Sequence, residues 1–244
     1  MLRDLSHPIR DGMMVYPGDP SVSVRPALSL ETDGVEVAHI DMGSHTGTHV
    51  DAPAHTVAGG RTMASVSLDE LVGEAVVLRV AGASPGSAYG LGELTLDGGA
   101  VPDGLPRIVI VDTGWAQWFG SERALRHPFM SAPAARELWA RGMRMLAVDT
   151  LSPDETGGSA FPVHEVVLGG DGLIVENVCG LEGLPGRVEV GFFPLRLEGD
   201  GAPVRGVAQQ SRPLAHRLRG DLADCLPLAS SQPGATTARR GGND

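Results

Sequence analysis

Eleven residues carry most of the chemistry open to this chain: His45-Thr46-Gly47-Thr48-His49-Val50-Asp51-Ala52-Pro53-Ala54-His55. Three of the chain's eight histidines and one carboxylate fall in that span, which an accidental polar loop rarely achieves in 244 residues. Neutral imidazole and carboxylate together suit Zn²⁺, Mn²⁺ or Fe²⁺, and no thiolate is present to narrow the choice. His45 and His49 have the spacing of a helical zinc motif, but Gly47 lies between them and Pro53 follows closely. No glutamate stands between them either, so the segment reads as a loop running into an extended piece. On an extended piece His49 and Asp51, two apart, project to one side. The small neighbours Gly43, Ser44, Gly47, Ala52 and Ala54 leave room for a metal and a substrate to approach the backbone.

Ligands from one loop need partners from elsewhere in the chain. His164 lies at a helix start, in Phe161-Pro162-Val163-His164-Glu165. Glu176 sits inside the apolar Leu173-Ile174-Val175-Glu176-Asn177-Val178, where a carboxylate should not be buried unpaired. A metal would satisfy it, and so would an arginine; the residues alone leave both open. His7, His127 and His216 lie near a terminus, in a loop and in the tail, while His39 reads as a satisfied core or edge imidazole. Asp112 reads as a strand-end residue, and Asp149 and Asp154 as turn and capping groups.

The elements that must position these groups are short. Residues 2–5, 74–80, 107–111, 145–148, 173–178, 187–197 and 204–208 read as strands. Val35–Asp41 alternates apolar and polar with period two, which predicts a half-buried strand leading into the histidine cluster. Ser67 as N-cap and Glu70 three residues on predict a helical turn. Helices are also predicted over 132–142, with Pro133 near the start and Gly142 at the end, and over 161–168, stopped by Gly169-Gly170. Strands and short helices in loose alternation give one mixed α/β domain over 1–210. The polar segment 211–244 reads as a C-terminal extension, at least partly disordered.

Bulk properties exclude several function classes. The net charge is −11, with no Lys/Arg run before the extreme C-terminus, which argues against nucleic acid as a partner. Cys179 and Cys225 form no CxxC pair, so neither a disulfide framework nor a thiolate metal site is suggested. Residues 1–8 lack the apolar core of a signal peptide, and no apolar run reaches the length of a membrane span. A cytoplasmic protein acting on a small molecule is expected.

His45 to His55 resembles the HxGTHxDxPxH signature of the bacterial kynurenine formamidase and putative cyclase family of metal-dependent hydrolases, with every fixed position present. Further blocks resemble that family over roughly residues 2–210, among them Asp4-Leu5-Ser6-His7-Pro8, Tyr16-Pro17-Gly18-Asp19, Pro162-Val163-His164 and Val175-Glu176-Asn177. Tyr16 departs from the family, where a tryptophan is common, and Asp112 stands where many relatives carry Arg or His. The resemblance implies a swivelling β/β/α fold and a homodimer or homotetramer. It also implies metal ligands at His45, His49, Asp51, His164 and Glu176, with Asp51 bridging if two ions bind. His55 would stand just outside the ligands as general acid/base. The implied cofactor is one or two Zn²⁺ ions, with Mn²⁺ possible, and the implied reaction is hydrolysis of a C–N amide bond, foremost in N-formylkynurenine. A polyketide cyclase and an isatin-type lactam hydrolase share the same loop. A non-catalytic metal-binding protein is the alternative of another class, against which an open His/carboxylate site with a spare His55 argues.

Overall fold

Runs of Val, Ile and Leu set the frame of the computed structural model, which describes residues 1–209. The expected extension, 211–244, lies outside the described residues. In chain order the elements begin with β1 (Leu2–Asp4), β2 (Ser23–Leu28), α1 (Leu30–Asp33), β3 (Val37–Asp41) and β4 (His49–Asp51). Next come α2 (Leu68–Leu71), β5 (Val72–Val80), β6 (Ala88–Tyr89), β7 (Leu94–Thr95), β8 (Ile108–Asp112) and β9 (Phe129–Met130). The remainder are α3 (Ala132–Ala140), β10 (Met145–Val148), α4 (Pro162–Val167), β11 (Leu173–Glu176), β12 (Arg187–Pro194) and β13 (Gly201–Gln209).

Seven strands close into a barrel-like sheet. The path runs β13-β12-β5-β8-β10-β11-β4, and β4 also pairs with β13, which completes the ring. The pairs β5–β8, β8–β10 and β10–β11 are parallel, whereas β12 and β4 run antiparallel to their neighbours. Side chains alternate across this sheet as a period of two requires. Ala75, Val77, Ile108, Ile110, Ala147 and Val175 join one core cluster together with Val50 and Phe192. Val76, Leu78, Val109, Val111, Leu146 and Ile174 join the other, beneath Ala135 and Leu138 of α3 and Val163 and Val167 of α4. The mixed α/β domain expected from the sequence is thus a closed sheet with two helices on its outer side.

Local signals behave as chemistry dictates. The Ser67 amide donates to the Glu70 carboxylate at 3.0 Å, closing the first turn of α2. Ser131 caps α3 and Pro133 sits in its first turn. The strand predicted over 35–41 forms over Val37–Asp41, but the half-buried expectation is overturned: all five residues are exposed. The strand pairs only with β2, in a separate two-stranded sheet that no described segment covers. His39 sits on that ribbon, so it is not a core imidazole. Among the described residues no helix is long and apolar enough to cross a membrane.

Candidate metal centre

Barrel closure brings the distant ligand candidates together. His49 lies opposite Glu176 in the β4–β11 register. Val50 points into the inner core cluster, so His49 and Asp51 face the other side, along with Glu176. The α4 helix then lays His164 over the same patch. Gly47 bends the entry to β4 at φ +61°, in the left-handed region that glycine adopts without strain. Two hydrogen bonds latch this loop to the end of β11: Thr48 Oγ1 donates to the Asn177 carbonyl at 2.6 Å, and Asn177 Nδ2 donates to the Gly47 carbonyl at 3.1 Å.

Four groups form the buried floor of the site. His49 Nε2 lies 3.2 Å from Asp51 Oδ1 and 3.3 Å from Glu176 Oε2. His164 Nε2 lies 3.4 Å from Glu176 Oε1 and 3.7 Å from Asp51 Oδ2. The outward nitrogens are already taken: His49 Nδ1 donates to the Gly47 carbonyl at 2.9 Å, and His164 Nδ1 to Asp154 at 2.7 Å. Those bonds hold each Nδ1 proton outward and aim each Nε2 inward, the orientation that metal-bound histidines adopt. His45 joins from the rim, its Nδ1 2.7 Å from Asp51 Oδ1.

The charges show what such crowding costs without a cation. Burial pushes the His45 imidazole down, yet Asp51, with help from Asp200, outweighs it and raises it to about 9. Burial likewise opposes charge on His164, but Asp154 and Glu176 lift it to about 10. Burial raises the Asp51 carboxyl, while His49 and His45 hold it well below the usual carboxylate range. Glu176 is raised by burial and by Asp51, but His164 and His49 bring it below its ordinary value. Protons on imidazoles therefore balance the two buried carboxylates in the metal-free protein. His49 Nε2 and Asp51 Oδ2, both buried, nevertheless find no hydrogen-bond partner. Unpartnered ligand atoms converging in a set of His and carboxylate fit a divalent cation. Potential ligand atoms of His45, His49 and Asp51, and likewise of Asp51, His164 and Glu176, lie within 4.8 Å of one another. Asp51 belongs to both sets.

His55 stands at the mouth, its side chain 32% exposed, with its ring centroid 4.0 Å from His45 and 5.8 Å from His164. The cleft it borders has a volume of about 260 Å³ and is walled by Met14, Val15, Tyr16, Leu151 and Phe161, with Asp19 at its edge. Five of the six candidate residues, His45, His49, His55, His164 and Glu176, thus line one cleft, and Asp51 lies buried beneath it against His45 and His49. Asp112 does not border it; its carboxylate accepts the Gly114 amide at 3.0 Å, a strand-end role. Asp154 does cap α4, accepting the Val163 amide at 2.8 Å, but it also orients His164. Sequence reasoning missed Asp200, whose carboxylate lies 2.8 Å from His45 Nε2 and 3.2 Å from His55 Nδ1. Nothing near Asp200 in the chain signals that role.

A closed α/β barrel with a convergent His/carboxylate cluster beside an apolar cleft defines a metal-dependent enzyme class. Residues 3–155 match the family model described as "Putative cyclase". The chain is 30% identical over 215 residues to a kynurenine formamidase of Geobacillus thermodenitrificans (strain NG80-2), covering 85% of this chain and 96% of that protein. It is 29% identical to a kynurenine formamidase of Maricaulis maris (strain MCS10), covering 85% and 97%. A solved structure described as a potential metal-dependent hydrolase with cyclase activity is 25% identical, with a TM-score of 0.70 over 87% of this chain and 99% of that one. An isatin hydrolase bound to the product analogue thioisatinate shares the fold at 18% identity, with a TM-score of 0.72 over 86% of this chain and 92% of that one. The chain belongs to the putative cyclase family and is a hydrolase within it.

Proposed function

We propose that the protein is a metal-dependent amidohydrolase that cleaves the C–N bond of an aryl formamide, with N-formylkynurenine as the foremost substrate. The observation that carries this reading is the pair of unpartnered buried ligand atoms, His49 Nε2 and Asp51 Oδ2, facing His164 and Glu176. His45, His49, Asp51, His164 and Glu176 would hold one or two Zn²⁺ ions, or Mn²⁺. Such an ion supplies acidified water and polarises the scissile carbonyl.

The protein's own groups account for the remaining steps. Tyr16, Leu151 and Phe161 offer an apolar wall to an aryl ring. His55, at the mouth and half open to solvent, accepts a proton as water attacks and returns one to the departing amine. An imidazole suits both roles because its charge changes near neutral pH. Asp19 is the charged group on the wall outside the cluster, placed to face a substrate ammonium. Identities of 30% and 29% to two kynurenine formamidases support the substrate class.

Turnover on a panel of N-formylkynurenine, formanilide and isatin, with elemental analysis of the purified protein, tests this reading. Formate release from both formamides, lost on chelation and restored by Zn²⁺ or Mn²⁺, is expected. Ring opening of isatin with no formate release would overturn it in favour of a lactam hydrolase. The assembly we propose is a cytoplasmic homodimer or homotetramer. The ribbon β2–β3, which exposes Leu28, Val37 and Ile40, supports association of this kind. Light scattering decides it.

A further inference from the structure

Asp200 precedes β13 on the strand connection that closes the barrel, and its backbone carbonyl accepts the Ala52 amide at 2.8 Å. That bond holds the residue beside the histidine loop, although 145 residues separate it from His55. One carboxylate oxygen, Oδ2, serves two imidazoles: His45 Nε2 at 2.8 Å and His55 Nδ1 at 3.2 Å. The other, Oδ1, accepts the Ser44 hydroxyl at 2.9 Å, which fixes the plane of the carboxylate. An ionised carboxylate can only accept, so each imidazole presents an N–H to it.

We propose that Asp200 is a positioning residue that sets the tautomers of His45 and His55 together. This rests on the functional reading above for its catalytic half. With the proton of His55 held on Nδ1 by Asp200, the Nε2 lone pair is the one left free at the mouth of the cleft. With one His45 proton held on Nε2, Nδ1 is the nitrogen on the side of Asp51, 2.7 Å away, where a bound cation would take the place of the proton shared with that carboxylate. A metal ligand and a proton carrier are thus braced by one group. Their ring centroids are 4.0 Å apart, so disturbing that group moves both. His49 and His164 are braced separately, by Gly47 and by Asp154, and do not depend on it.

The substitution is mild for the fold, since the Asp200 side chain is 40% exposed and its backbone bond to Ala52 survives any replacement. Asp200→Ala and the isosteric Asp200→Asn, each confirmed folded by thermal melting, are compared with the parent chain, with His55→Ala and with the His55→Ala/Asp200→Ala pair. Zinc affinity, by competition with a chromophoric chelator, should fall about 10–100-fold in Asp200→Ala, the usual effect of losing a partner behind a ligating histidine. The same fall should appear in the His55→Ala background, because it acts through His45. At saturating zinc, kcat on a formamide should fall about tenfold or more with KM nearly unchanged, and the loss should vanish in the His55→Ala background. Nitrogen NMR of the zinc-loaded protein should show His55 with its proton on Nδ1 in the parent chain and a tautomer mixture in Asp200→Ala.

Unchanged zinc affinity would overturn the His45 role. An unchanged His55 tautomer, or additive losses in the double variant, would overturn the His55 role. Affinity and tautomer are read without substrate, so a parent chain inactive on formamides would sink the functional proposal and still leave Asp200 decided.

Discussion

Two buried aspartates, Asp51 and Asp149, look alike in burial and differ in every partner. Asp149 Oδ1 accepts the Thr113 amide at 3.0 Å and the Thr113 hydroxyl at 2.7 Å. Its Oδ2 accepts the Trp115 amide at 2.7 Å and the Ala116 amide at 3.4 Å. Burial still pushes its carboxyl up to about 6, against the pull of Thr113. Asp51 accepts no backbone N–H; imidazoles surround it, and Oδ2 is left with no hydrogen bond. A carboxylate whose lone pairs are spent on amides holds a loop in shape. One whose lone pairs face imidazoles and empty directions is arranged to share a cation. Asp154 stands between the two types, since it caps α4 with one hand and orients His164 with the other.

The sharpest way to break this contrast is Asp51→Asn. Activity should drop by more than about 100-fold, beyond the usual effect of a supporting residue, and elemental analysis should find little metal. Retained metal and turnover would mean that Asp51 is merely another structural carboxylate. Asp154→Asn should cost about 10–100-fold in zinc affinity or kcat, because His164 loses its orienting acceptor while keeping its own lone pair.

Acidity offers a third handle, on the metal-free protein. His45 and His164 are held up to about 9 and about 10, so their stabilising charge is fully present below the ordinary imidazole value. It is lost as pH rises through those values. The melting temperature of metal-free protein should therefore fall from pH 7 to pH 10, while zinc affinity rises over the same window as bound protons become easier to displace. A flat melting profile would contradict the proton-balanced cluster. The smallest effect is reserved for Asp149→Asn, which should cost about 1–3 kcal/mol of stability through its unmatched amides and leave metal content unaltered. A loss of metal there would erase the distinction between the two aspartates.

Legibility in the sequence followed the range of each contact. His45, His49, Asp51 and His55 were readable because they are neighbours in the chain and their types suffice. The residues around Glu176 predicted only that it needed a partner; choosing metal over arginine required the β4–β11 pairing. Asp154 read as a turn and capping group and does cap α4, but its bonds to the Val163 and His164 amides and to the His164 ring all span nine or ten residues, beyond what a local pattern reveals. Asp200 was invisible because its role arises only when β13 pairs with β4. The alternation at 35–41 misled for a related reason. Period two states which residues share a face, and says nothing about whether another element arrives to cover it.

The three-residue strand β4 has a further consequence. Val50 faces the inner core while its neighbours His49 and Asp51 face the opposite side of the sheet, so a slip by one residue against β11 and β13 would invert all three. Such a chain would bury two polar groups in the barrel and present a valine to the ion. The packing of the barrel core and the geometry of the site are therefore set by one and the same three-residue pairing.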